Sequence, residues 1–224
     1  MKQSELIAEL TQLVLAVKRL HPTRIAIDGV DAAGKTTLAD ELATSLQARG
    51  RHAIRASIDG FHQSREIRYR RGSDSPEGYY HDSFNHEALR KFLLEPLGPS
   101  GSLDCRTTVF DFCRDSVTPS LTLQAQADSI LIFDGVFLLR PELKSSWDYA
   151  IFVEVDFAIG IGRAKQRDKF LFGTAEQVEE RYRQRYIPGQ SIYLESCRPQ
   201  EIADVVVYNN DLANPELRSI NSGP

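Results

Sequence analysis

A chain of 224 residues, 42% apolar and 26% charged, has room for one α/β domain carrying a lid and is ordinary for a soluble globular protein. Its net charge of −4 argues against non-specific nucleic-acid binding as the main task, leaving only local basic patches open. Cys105, Cys113 and Cys197 form no CxxC pair and cannot all pair, the pattern of reduced thiols in a cytoplasmic protein; Glu5 and Glu9 break any signal-peptide core, and no apolar run predicts a membrane span.

Residues 4–20 place Leu6, Ile7, Leu10, Leu13, Val14, Val17 and Leu20 at helical spacing, so an N-terminal helix is expected within residues 1–21, ended by Pro22. Its apolar face packs on the domain or forms a dimer seam, which leaves a homo-oligomer open. Arg24–Asp28 reads as a short apolar strand. Gly29-Val30-Asp31-Ala32-Ala33-Gly34-Lys35-Thr36 follows, fitting the phosphate-binding pattern Gly-x-x-x-x-Gly-Lys-[Ser/Thr]. A side chain at Gly29 or Gly34 would block the close approach of backbone to phosphate. The amides of Asp31, Ala32, Ala33, Gly34 and Thr37 belong to the same cradle, at the positive end of a helix. Lys35 would reach the β- and γ-phosphates of ATP, and the Thr36 hydroxyl would ligand Mg²⁺. Leu38, Leu42 and Leu46 then recur every four residues, a helical stripe before Gly50.

Arg51–Ser57 reads as a second strand running into Ile58-Asp59-Gly60-Phe61. The polar stretch from His62 to His81, rich in arginine, glycine and aromatics, reads as a functional loop with at most a short helix. We assign about 60–86 to acceptor binding, with Arg65 and Tyr79 as candidates. A helix over about 85–94, a turn at Pro96–Gly101, and strands at Thr107–Phe112, Ser129–Asp134 and Asp148–Val155 follow. Helices over about 157–168 and 175–186, a strand at Val205–Tyr208, and a loop or frayed tail from Asn209 complete the chain.

Alternating strands and helices predict parallel units, with ligands at the carboxyl ends of the strands. Asp59, Asp111 and Asp134 stand at or near three such ends. Asp134, closing an apolar run, suits Mg²⁺ binding, or else caps a turn with Gly135. Asp59 suits the base that accepts a hydroxyl proton, or else forms an ordinary Asp-Gly turn. Arg163 and Arg167 share a helix face, Arg181, Arg183 and Arg185 follow, and Phe172-Gly173-Thr174 lies between. Residues of about 163–186 could close as a lid whose arginines neutralise a transferring phosphoryl group, or could be solvated faces paired with Glu176, Glu179 and Glu180.

Beyond the P-loop, the pieces Ile58-Asp59-Gly60-Phe61, His81–Asn85, Val109–Phe112, Phe133-Asp134-Gly135, Arg167-Asp168 and Arg185–Gln190 resemble the uridine kinase branch of P-loop kinases. That group also includes type I pantothenate kinase and phosphoribulokinase. The resemblance implies a single kinase domain over 1–224: a three-layer α/β/α P-loop fold with a five-stranded, mainly parallel sheet and a helical lid. It implies ATP and Mg²⁺ as cofactors and a small-molecule alcohol as acceptor. Asp59 then matches the catalytic base, with Lys35 and Arg167 completing the catalytic set and Arg163 beside the donor. Thr36, Asp59 and Asp134 match the Mg²⁺ sphere, although uridine kinases usually carry Glu where Asp134 stands. Asp82 matches an acid that holds ribose hydroxyls. Phe110 stands where uridine kinases place a Tyr, and Asp115 near their His. Phe110 can still stack, but hydrogen bonds to the pyrimidine are lost or changed. A nucleoside kinase is therefore the leading expectation, with a pantothenate or sugar kinase as the alternative. A nucleotide-dependent switch of the GTPase kind would need Asn-Lys-x-Asp, and no Asn-Lys pair occurs.

Overall fold

Among the residues that the computed structural model describes, 1–119 and 121–220, six strands form the central sheet. They are β1 (Thr23–Gly29), β2 (Ala53–Ser57), β3 (Ile130–Asp134), β4 (Tyr149–Glu154), β5 (Val205–Tyr208) and β6 (Glu216–Ser219). Their spatial order is β6-β5-β4-β1-β3-β2. The first five in sequence are parallel, with Ile25 opposite Ile132 and Tyr149, and β6 runs antiparallel to β5. β1, at the centre, and β3 beside it are buried at every residue, as strands covered on both faces must be.

Side-chain alternation builds the three layers. Ile25, Ile27, Ile132, Ile151, Val153 and Val207 pack with Leu6, Leu10 and Val14 of α1 (Gln3–Ala16) and with Leu38, Leu42 and Leu46 of α2 (Lys35–Gln47). Ala26, Leu131, Phe133, Phe152 and Val206 pack with Phe61, Leu89, Phe137 and Tyr193 on the other face. Leu42 and Leu46 are fully buried, and each contributes about 2 kcal/mol by leaving water. The apolar face of α1 is thus spent on α2 within the chain.

Several expectations change. α1 stops at Ala16, well before Pro22, and Leu20 stands fully in solvent. Thr107–Phe112 is not a strand of the sheet. Val109 N–H donates instead to Gly60 O at 2.8 Å, and only Phe110–Asp111 pairs, with Ser116–Val117. Asp111 therefore does not stand at a sheet-strand end; its Oδ1 accepts the N–H groups of Cys113 and Arg114. The tail is not all loop, since β6 closes one edge and makes the sheet six-stranded rather than five-stranded. The terminal Ser222-Gly223-Pro224 lies outside the described residues.

The 62–81 stretch contains one turn at Arg65–Arg68 and α3 (Pro76–Asp82), whose Pro at the first turn and Ser75 cap mark its start. α4 (Phe157–Arg167) and α5 (Ala175–Arg181) flank the Gly173 loop. α5 runs through a π turn, Tyr182–Tyr186, into α6 (Ile187–Cys197), so the helix continues past the expected end near 186. Pro188 lies directly after the π turn, where the regular ladder of backbone hydrogen bonds is already shifted, so its missing N–H does not break the helix. Among the described residues no helix is long and apolar enough to cross a membrane.

Candidate active site

The loop between β1 and α2 is shaped by what its backbone must avoid. A Cβ on Gly29, at φ +151°, would lie 2.2 Å from Val153 O, so β4 leaves space for glycine only. Gly34, at φ +95°, is in the left-handed region and caps α2. Under the loop, the buried Asp28 accepts Gly29 N–H at 2.8 Å and the Tyr193 hydroxyl from α6. Burial pushes its carboxyl up to about 6, against the lowering pull of Tyr193 and Gly29.

The folded state therefore holds a proton on Asp28 that the unfolded chain has released, over the window from about 4 to 6. This residue makes stability fall as pH rises through that window, by about 3 kcal/mol in all, and adds no slope above it. Asp28→Asn should remove that component. Urea denaturation of both proteins from pH 4 to 7 tests this, and identical pH slopes for wild type and variant would refute it.

Asp31, next in the loop, is gripped from outside. Its Oδ2 accepts the Tyr79 hydroxyl at 2.7 Å and Gln190 Nε2 at 3.2 Å, while Gln190 Oε1 accepts its N–H at 2.6 Å. Burial raises its carboxyl pKa. Tyr79 is thus a buried support of the P-loop as well as part of the cleft wall.

Lys35 is buried, and its Nζ donates to Val30 O at 2.6 Å within the loop. Burial lowers its pKa, opposed by the carboxylates of Asp31, Asp28 and Asp134. The Thr36 hydroxyl donates to Asp134 Oδ2 at 2.7 Å, and Arg55 of β2 holds the other oxygen at 3.0 Å. Hydroxyl and carboxylate are hard oxygen donors, and they meet at the start of α2, which fits Mg²⁺. Among the described residues no three His, Cys, Asp or Glu side chains converge, so a metal here would take its remaining ligands from phosphate and water.

Asp59 sits on a 3-10 turn, Ile58–Phe61, that follows β2; Ser57 Oγ accepts its N–H at 3.3 Å. Its side chain is 64% exposed, so an incoming group can reach it. His62 lies three residues on, with Nε2 3.5 Å from Asp59 Oδ1 and Nδ1 3.1 Å from Ser83 O. Its ring stands between Phe84 and Phe112, at 4.6 and 5.0 Å. Desolvation raises the Asp59 pKa, but the His62 hydrogen bond and charge, with Lys35 and Arg167, outweigh it and hold the carboxyl below its usual range.

Lys35, Thr36, Asp59, Asp134 and Arg167 line one open cleft of about 1110 Å³. Ala32 of the P-loop packs with Ile161 and Ala164 of α4, Val178 of α5 and Tyr182, which seats α4 and α5 against the loop. Arg167 is held by Asp168, with Nε to Oδ1 at 2.6 Å, and by the Tyr182 hydroxyl at 3.3 Å; the Asp168 bond raises its pKa. Arg163 donates to the carbonyls of Asn209 and Asn210 at 2.7 and 3.0 Å. It lines both the cleft and a second cavity of about 370 Å³, which also touches Gly34 and Thr37. Lys165 and Arg183 pair with Glu179 as solvated charges.

The acceptor candidates separate. Arg65 and Tyr79 line the cleft; Asp82 and Phe110 are not on its wall, which Phe112 occupies instead. Asp82 is 2% exposed, with both carboxylate oxygens taken by Arg70 and Arg71. Arg68 also lines the cleft, with only long contacts to Asp115 (3.3 Å) and Phe112 O (3.4 Å) and no partner for Nε among the described residues. Arg185 is almost fully buried and donates to the carbonyls of Arg68, Gly72, Ser73 and Ser75, fixing the arginine-rich loop from within.

Sequence reasoning missed His62, Gln190, Tyr193 and Arg55, and it read Arg185 as a lid arginine where the structure buries it against loop carbonyls. Gln190 and Arg185 lay in a quoted motif, and His62 three residues after Asp59, so a spacing signal existed for them. Tyr193 and Arg55 carried none.

No protein-family model matches the chain. Solved structures do. A possible uridine kinase from Bacillus stearothermophilus is 23% identical, with a TM-score of 0.73 over 92% of this chain and 99% of that one. A candidate fructose transport system kinase from Silicibacter sp. TM1040 is 25% identical, with a TM-score of 0.67 over 84% and 94%. A D-glycerate 3-kinase from Cryptococcus neoformans is 12% identical, with a TM-score of 0.64 over 96% and 99%. The chain is similar in fold to all three: a P-loop kinase fold of the uridine kinase-like kind.

Proposed function

We propose that this chain is an ATP-dependent kinase that transfers the γ-phosphate to a hydroxyl of a small molecule. The observation that carries this is that Lys35, Thr36, Asp59, Asp134 and Arg167 line one cleft, with the Asp59 side chain exposed. The loop amides and Lys35 bind the polyphosphate, and the 370 Å³ cavity beside Gly34 and Thr37 takes the nucleoside end of the donor. Asp59 accepts the acceptor's hydroxyl proton as its oxygen bonds to the γ-phosphorus and the bond to the β–γ bridging oxygen breaks, releasing ADP. Arg167 faces the charge that spreads over the phosphoryl oxygens. Thr36 and Asp134, with Asp59 as the further candidate ligand, would hold Mg²⁺, which would supply charge neutralisation to the phosphates.

The resemblance favours a nucleoside acceptor. The geometry favours the alternative, an alcohol bearing a negative charge such as pantothenate. Asp82 is already neutralised by two arginines, while Arg65 and Arg68 line the cleft. Incubation with ATP, Mg²⁺ and a panel of uridine, pantothenate, fructose and glycerate should give one product heavier by a phosphoryl group. Slow hydrolysis that no acceptor stimulates, with partner binding set by nucleotide state, would favour the switch instead.

A further inference from the structure

We propose that the donor base is read by a pair of side chains joining α1 to α2, Gln3 and Glu41, which selects a purine carrying an exocyclic amino group. This rests on the kinase reading above. The 370 Å³ cavity has apolar walls, Leu6, Leu38, Val207 and Leu212, suited to the faces of a flat base. Its polar groups are few and differ in kind. Gln3 Nε2 donates to Glu41 Oε2 at 2.8 Å. That bond leaves Gln3 Oε1 and the second Glu41 oxygen with no further hydrogen bond among the described residues, so this edge of the cavity accepts. Arg163 also lines the cavity, with its Nη2 donating to the carbonyls of Asn209 and Asn210. Adenine carries the complement of the Gln3–Glu41 edge, an exocyclic amino donor, on a flat ring that suits the apolar walls. Gln3 and Leu6 make α1 a wall of the nucleotide site and not only a cover for the sheet.

Calorimetric titration of the full chain with Mg-ATP and Mg-ITP tests this, because inosine replaces the amino group with a carbonyl. Wild type should bind ATP about tenfold more tightly than ITP, the worth of one hydrogen bond to a charged group. Glu41→Ala and Gln3→Ala should bring that ratio within about twofold while tripolyphosphate, which lacks a base, binds each variant as it binds wild type. Equal affinities for ATP and ITP in wild type, or an unchanged ratio in both variants, would overturn the inference while tripolyphosphate binding persists. Loss of tripolyphosphate binding by wild type would overturn the kinase reading, and this inference with it.

Discussion

Lys35→Ala should lower kcat for acceptor phosphorylation by about 10³-fold or more, the scale of losing a preorganised charge at the transferring group. The size follows from where the ammonium stands. It is buried, and Asp28, Asp31 and Asp134 are all close enough to hold its charge against desolvation. Without it those three carboxylates would confront a polyphosphate in a site with little water to screen them. Lys35 is now satisfied by Val30 O at 2.6 Å, a bond that a bound phosphate would replace. Steady-state turnover with saturating ATP, beside a urea melt to show that the variant folds, is the measurement. Turnover equal to wild type would remove the P-loop from the mechanism.

Asp59→Asn should lower kcat by about 10²–10⁴-fold and leave ATP affinity nearly unchanged, since a positioned base contributes that much to the chemical step alone. The asparagine keeps the shape and cannot take the proton. His62 holds the carboxylate from one side, so the variant also loses a charged partner for that ring. The pH dependence has a defined sign. A base must be deprotonated, and the Asp59 pKa lies below the ordinary carboxylate range, so the acid limb of kcat/KM should lie at lower pH than an ordinary carboxylate would give. If ATP affinity and kcat drop together, Asp59 serves the metal before the proton.

What could be read from the residues depended on how far each signal reached along the chain. The P-loop, the Leu38–Leu42–Leu46 stripe and the apolar run Ile130–Asp134 are local patterns, and each folds as its pattern requires. β6 was invisible because an edge strand needs no apolar run, and Glu216–Ser219 has only Leu217 to offer. Thr107–Phe112 misled in the opposite way: its composition suits a strand, but its backbone bonds to Gly60. The supports of the site are long-range. Tyr193 reaches Asp28 from α6, Gln190 reaches Asp31, and Arg55 reaches Asp134 across adjacent strands. Asp82 shows the limit of a matched motif, because Arg70 and Arg71, twelve and eleven residues earlier, occupy it first.

A crystal structure with Mg²⁺ and a non-hydrolysable ATP analogue tests the central claim most directly. The β- and γ-phosphates should lie against the amides of residues 31–36, with Lys35 Nζ moved from Val30 O onto them and Asp59 facing the γ-phosphorus. A polyphosphate bound elsewhere, or an Asp59 carboxylate turned away from the terminal phosphate, would contradict it.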